Sequence, residues 1–143
     1  MLPFLLIPLI VCIFNIYRRF TCIIKIKITI FTITAVVVVS GIILYIAYLA
    51  GNTASHYIVA LSWILAFMTS LLSAGISEKG FVQPWNIVSK IYKWEKLREV
   101  SIEKRKTTVL VSFKIIRELR QEYDLNDLPK IKKMLKENTK FKI

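Results

Sequence analysis

No acidic residue precedes Glu78 in this chain. The whole sequence holds one histidine and two cysteines among 143 residues. Each shortage closes off a class of chemistry. The single histidine, His56, has no Cys, Asp or Glu beside it, so no metal-ligand spacing exists. No Walker, GxSxG or HExxH pattern occurs. Cys12 and Cys22 form no CxxC pair and sit in or beside apolar sequence; they read as small apolar fillers. The acidic side chains of the second half, such as Glu99, Glu103 and Glu118, are interleaved with Lys and Arg and read as solvated faces. The expectation is a protein that is not an enzyme and takes no cofactor or metal.

What the sequence has in abundance is apolar length. Residues 28–50 run ITIFTITAVVVVSGIILYIAYLA without a charge. As a helix that stretch is roughly 35 Å long, enough to cross a ~30 Å hydrocarbon core with some tilt. Residues 57–75 are also uncharged and about 28 Å long by the same rise. A short link, Gly51 to His56, joins them without Lys or Arg. Backbone in hydrocarbon must satisfy its own hydrogen bonds, so two such runs predict a helical hairpin. Residues 2–17 are apolar but contain Pro3, Pro8 and Asn15. They lack the basic start and the cleavage site of a signal peptide and read as a third span, with an interfacial anchor as the alternative. No charged residue lies inside any span, which argues against an ion- or proton-coupled transporter.

Charge sets the orientation. Arg18, Arg19, Lys25 and Lys27 precede the hairpin, and every other Lys, Arg, Asp and Glu follows Gly75. The positive-inside rule places both outer ends of the hairpin in the cytoplasm of a multi-pass protein of the cell membrane. With a net charge of +12, anionic lipid is the expected partner, at ~1 kcal/mol per cation near the surface. Nucleic acid is not expected, because the basic residues flank a membrane. Phe20–Lys27 alternates isoleucine and lysine; it admits a strand but reads as the start of the next helix, with its lysines at phosphate level.

At Gly75 the composition changes, and residues 76–143 predict a small cytoplasmic α+β domain after a transmembrane region of residues 1–75. Lys79-Gly80 marks a turn. Asn86–Glu95, Leu97–Glu103 and Thr107–Ile115 alternate, with Val88, Tyr92 and Trp94, then Val100 and Ile102, then Val109, Val111 and Phe113 on apolar faces. The expected form is an antiparallel meander with one apolar face. Lys114–Leu125 fits either a strand or a helix. A helix over about 127–138 opens with Asn126-Asp127-Leu128-Pro129 and repeats Leu128, Ile131 and Leu135 on one face. Lys130, Lys132, Lys133 and Lys136 cover the rest, as a solvated surface or a lipid-facing one.

The series Ile76-Ser77-Glu78-Lys79-Gly80-Phe81-Val82, then Trp85 to Trp94 (WNIVSKIYKW), is similar to the opening strands of bacterial PH-like domains. The plan of the whole chain, small, cationic and apolar with three spans and such a tail, resembles the immunity proteins that accompany leaderless class II bacteriocins of the aureocin and lacticin Q type. That resemblance implies self-protection of a Gram-positive bacterium against a cationic membrane-active peptide. The peptide is then a further expected partner, and Trp85 and Trp94 are contact candidates whose ordinary role is core packing. Arg18, Arg19, Lys25 and Lys27 are lipid-contact candidates whose ordinary role is topology control. The alternatives are an accessory subunit of a peptide exporter, with a transporter as partner, a membrane-anchored interaction module, and a holin. The β-patterned tail counts against the holin.

Overall fold

The computed structural model describes residues 2–84, 86 and 88–140. Three helices are long and apolar enough to cross a membrane: α1 (Leu2–Thr21), α2 (Ile30–Leu49) and α3 (Ala54–Leu72). The first is longer than its apolar run, because Arg18 and Arg19 continue it. Pro8 does not end it. Proline there withholds the helical bond to the Phe4 carbonyl and crowds it, yet the helix runs on to Thr21. Thr29 caps α2, its side chain accepting from the Thr32 amide at 3.2 Å. The link between α2 and α3 is tighter than expected. It turns through Gly51 and Asn52, both at positive φ, and His56 falls in the first turn of α3.

The shared neighbour in the bundle is α3, which packs on both α1 and α2. Its buried positions are Ala60, Ala66, Ser70 and Leu71, mostly small side chains that let backbones approach. Val11 and Cys12 of α1 meet Ala66. Only Ala47 of α2 is buried, and Gly41 faces open space, with nothing among the described residues within 4 Å of a Cβ built on it. The long row of exposed Ile, Val, Leu and Phe on α1 and α2 is a surface that fits hydrocarbon as its solvent.

The domain is built from two antiparallel sheets, not one meander. The first has the order β1 (Ile24–Lys25), β2 (Gly75–Ser77), β3 (Gly80–Val82) and β4 (Ile91–Lys93). The second is β5 (Glu99–Lys104), β6 (Thr108–Lys114) and β7 (Glu118–Asp124). Helix α4 (Leu128–Asn138) follows, with Pro129 in its first turn.

Two sequence readings are corrected here. Residues 24–25 do not begin a helix. Ile24 pairs with Ile76 and is almost fully buried, so the alternation of Ile and Lys is that of a true strand. The strand read over Asn86–Glu95 shrinks to Ile91–Lys93; Val88 lies outside it and is exposed. The open segment after Lys114 is a strand. Leu119, Gln121 and Tyr123 point inward, and the polar Gln121 is satisfied by donating to the Val82 carbonyl at 2.9 Å.

One core joins the sheets and α4. Phe81 of the first sheet stacks on Phe113 of the second, ring centroids 4.0 Å apart. Ile24, Ile76, Val109, Val111 and Tyr123 surround them, and Ile131 and Leu135 of α4 close one side. Gly75 and Gly80 hold the first sheet together. Both sit at positive φ, and a Cβ on either would strike a backbone carbonyl, that of Ile24 or of Tyr92.

Candidate functional site

Where the bundle meets the domain, a buried polar network ties the two together. Asn15 lies on α1 about one turn before Arg18 and is fully buried. Its amide nitrogen donates to the Ala66 carbonyl of α3 at 3.5 Å. Its oxygen accepts from the backbone N–H of Ser89 at 3.0 Å and from the Ser89 hydroxyl at 2.7 Å. Ser89 is in the loop between β3 and β4, so this loop reaches down to the level of α1's last turns. Ser73 pairs with the Ser89 hydroxyl, and Ser70 donates to the Asn86 carbonyl. An amide in an apolar helix is costly unless bonded, so these contacts fix the loop against both helices.

The segment after α1 is fastened in the same region. Ile23 donates through its backbone N–H to the Ile76 carbonyl at 2.9 Å, and Ile26 to that of Ala74 at 3.2 Å. Lys27 crosses to the second sheet, its N–H donating to the Glu122 carbonyl at 2.8 Å. Cys22 is buried, and its thiol donates to the Ser73 carbonyl at 3.5 Å. Burial pushes that thiol's pKa up, against the opposing pull of Arg18, Arg19 and Lys25.

The residues singled out from the sequence fall into three places. Arg18, Arg19, Lys25 and Lys27 gather at the junction. The Arg18 guanidinium lies 4.7 Å from the centre of the Phe14 ring, and Arg19 donates to the Leu72 carbonyl at the end of α3. Lys25 is exposed on β1. The Lys27 ammonium is 3.9 Å from an Asp124 carboxylate oxygen. Trp94 lies in the core, its indole N–H donating to the Glu78 carbonyl at 2.8 Å, which leaves the ring occupied by the domain's own packing. Trp85 lies outside the described residues. Lys130, Lys132, Lys133 and Lys136 are exposed on α4; Lys130 is 3.9 Å from Asp127 and Lys133 3.9 Å from Glu137.

Sequence reasoning missed Ser89 and the basic side chains around it, Lys79, Lys90 and Lys93. Asn15 was the available signal, as an amide in an otherwise apolar run. Ser70 and Ser73 bond to the loop, and Ser73 also back to its own helix at the Ser70 carbonyl, 2.8 Å away. Among the described residues no group of His, Cys, Asp or Glu is placed to hold a metal ion. No protein family, curated protein or solved structure matches this chain.

Proposed function

We propose that the protein protects a Gram-positive cell against a leaderless, cationic, membrane-active peptide, acting without catalysis at the cytoplasmic membrane. The observation that carries this reading is α2. It is twenty residues long and uncharged, and only Ala47 is buried. Its Ile and Val ridge meets whatever is dissolved in the same leaflets. A peptide that inserts directly into lipid would encounter that ridge and be intercepted before it assembles a pore. In this reading the basic domain is cytoplasmic, placed there by Arg18, Arg19, Lys25 and Lys27. Two antiparallel sheets closed by a C-terminal helix support reading it as PH-like.

The test is a protection assay. The chain is expressed in a sensitive Gram-positive host, and a leaderless cationic bacteriocin is titrated beside nisin, which acts through lipid II. A raised inhibitory concentration for the first peptide alone supports the reading. No shift for either removes it. The second reading, an exporter's accessory subunit with the PH-like domain as its docking platform, then takes precedence. It is favoured by the exposed lysine face of α4 and is tested by co-purification with a transporter.

A further inference from the structure

Beside the buried network lies an open groove of about 570 Å³, between the last turns of α1 and the loop leading into β4. Its chemistry is divided. Phe14 and Val88 are apolar and 36% and 49% exposed. Ser89, next to Val88, is bonded to Asn15, next to Phe14, so this apolar part sits about one turn inside the arginine level of α1. Arg18, Lys79, Lys90 and Lys93 supply the charge of the wall, and no acidic residue lines it among the described residues. None of the four has a carboxylate within ion-pair distance among the described residues. Arg18 Nε is buried with no hydrogen-bond partner there. The Lys90 ammonium leans over the Tyr92 ring at 5.9 Å, a weak contact that leaves its donors available. Glu78 belongs to the adjoining groove and is exposed.

Four cations without a counterion among the described residues, one with a buried unused donor, make the groove complementary to an anion. Apolar side chains at the depth of the bilayer boundary need an acyl chain. We propose that this groove binds one anionic phospholipid of the leaflet on the domain's side, with the headgroup phosphate held by Arg18, Lys79, Lys90 and Lys93 and the chain along Phe14 and Val88. Guanidinium and ammonium donors suit phosphate oxygens. The site does not depend on any role in peptide protection.

The experiment is native mass spectrometry of the detergent-purified full chain, titrated with phosphatidylglycerol, phosphatidylcholine, glycerol 3-phosphate or inorganic phosphate. The wild type should retain phosphatidylglycerol at least about tenfold more tightly than phosphatidylcholine, since each well-placed cation adds severalfold. The triple variant K79Q/K90Q/K93Q, changed only at exposed side chains, should lose about tenfold or more in phosphatidylglycerol affinity. K132Q/K133Q/K136Q removes the same charge from α4 and should stay within about twofold of wild type. Equal losses in the two variants would mean a diffuse electrostatic effect and overturn the site. Equal binding of the two lipids would do the same. If glycerol 3-phosphate or phosphate binds as tightly as the lipid, the groove is a soluble-phosphate site and the lipid assignment fails.

Discussion

Single residues at the junction carry conformational demands that their neighbours cannot relieve. Gly75 combines a φ of +157° with a position where any Cβ meets the Ile24 carbonyl. Gly75→Ala should therefore separate β1 from β2 and destabilise the domain by roughly 1–3 kcal/mol. A lowered urea midpoint together with faster amide exchange at Ile24 and Ile76 would be the readout. Tyr123 makes a different prediction. It is fully buried, its hydroxyl pairs with the Gln121 side chain, and burial raises its pKa well above the ordinary tyrosine value. The neutral form is favoured in the folded state, so its contribution to stability is complete below the unfolded-chain pKa of about 10 and is lost as pH rises beyond it. Denaturation midpoints followed from mildly to strongly alkaline pH should fall. Tyr123→Phe should flatten that fall while costing about 1 kcal/mol at neutral pH for the lost hydrogen bond. A slope unchanged by the substitution would assign the alkaline loss to other groups.

At the scale of elements, legibility followed the strength of the periodic signal. The three long apolar helices were legible because uncharged length is a strong cue, and their ends moved by a few residues for local reasons: Thr29 as a cap, Arg18 and Arg19 as helix formers past the apolar run. Val109, Val111 and Phe113 were read correctly as one buried face. The last strand was ambiguous because its middle inward position is Gln121, a polar residue whose partner, the Val82 carbonyl, comes from the other sheet. The junction was the least legible part. Ile24 and Ile76 are 52 positions apart with two spans between them, and no local pattern announces that pairing. The groove was hidden for the same reason, since Arg18 and Lys90 are brought together only by the loop bonded to Asn15.

Strand β1 also sets what can be removed. A soluble fragment of residues 76–143 lacks Ile24, a nearly fully buried member of the domain core. Loss of that burial is worth about 1.5–3 kcal/mol, a large share of a small domain's total stability of ~5–15 kcal/mol. The fragment should therefore unfold with low cooperativity. Joining residues 21–28 to its N-terminus through a flexible linker should restore a sharp denaturation transition. A fragment equally stable with and without them would show that β1 is dispensable.

Across the whole molecule, bundle and domain are one mechanical unit. The loop before β4 is bonded to α1 and α3, β1 leaves α1 to enter the first sheet, and Lys27 reaches the second. In the proposed protective role, a peptide beside α2 would act through α3, which touches both other helices.

The pairing of Ile24 with Ile76 has a consequence for biogenesis. If α2 and α3 cross a membrane, β1 emerges first during synthesis and waits, unpaired, while they are threaded into the bilayer. Its partner arrives on the same face only if both helices have crossed. A hairpin that stalls half-inserted leaves β1 and β2 on opposite sides of a barrier neither can pass, and the sheet stays open. Closure of the first sheet would then depend on correct threading, since β1 can pair with β2 only when both lie on the same face.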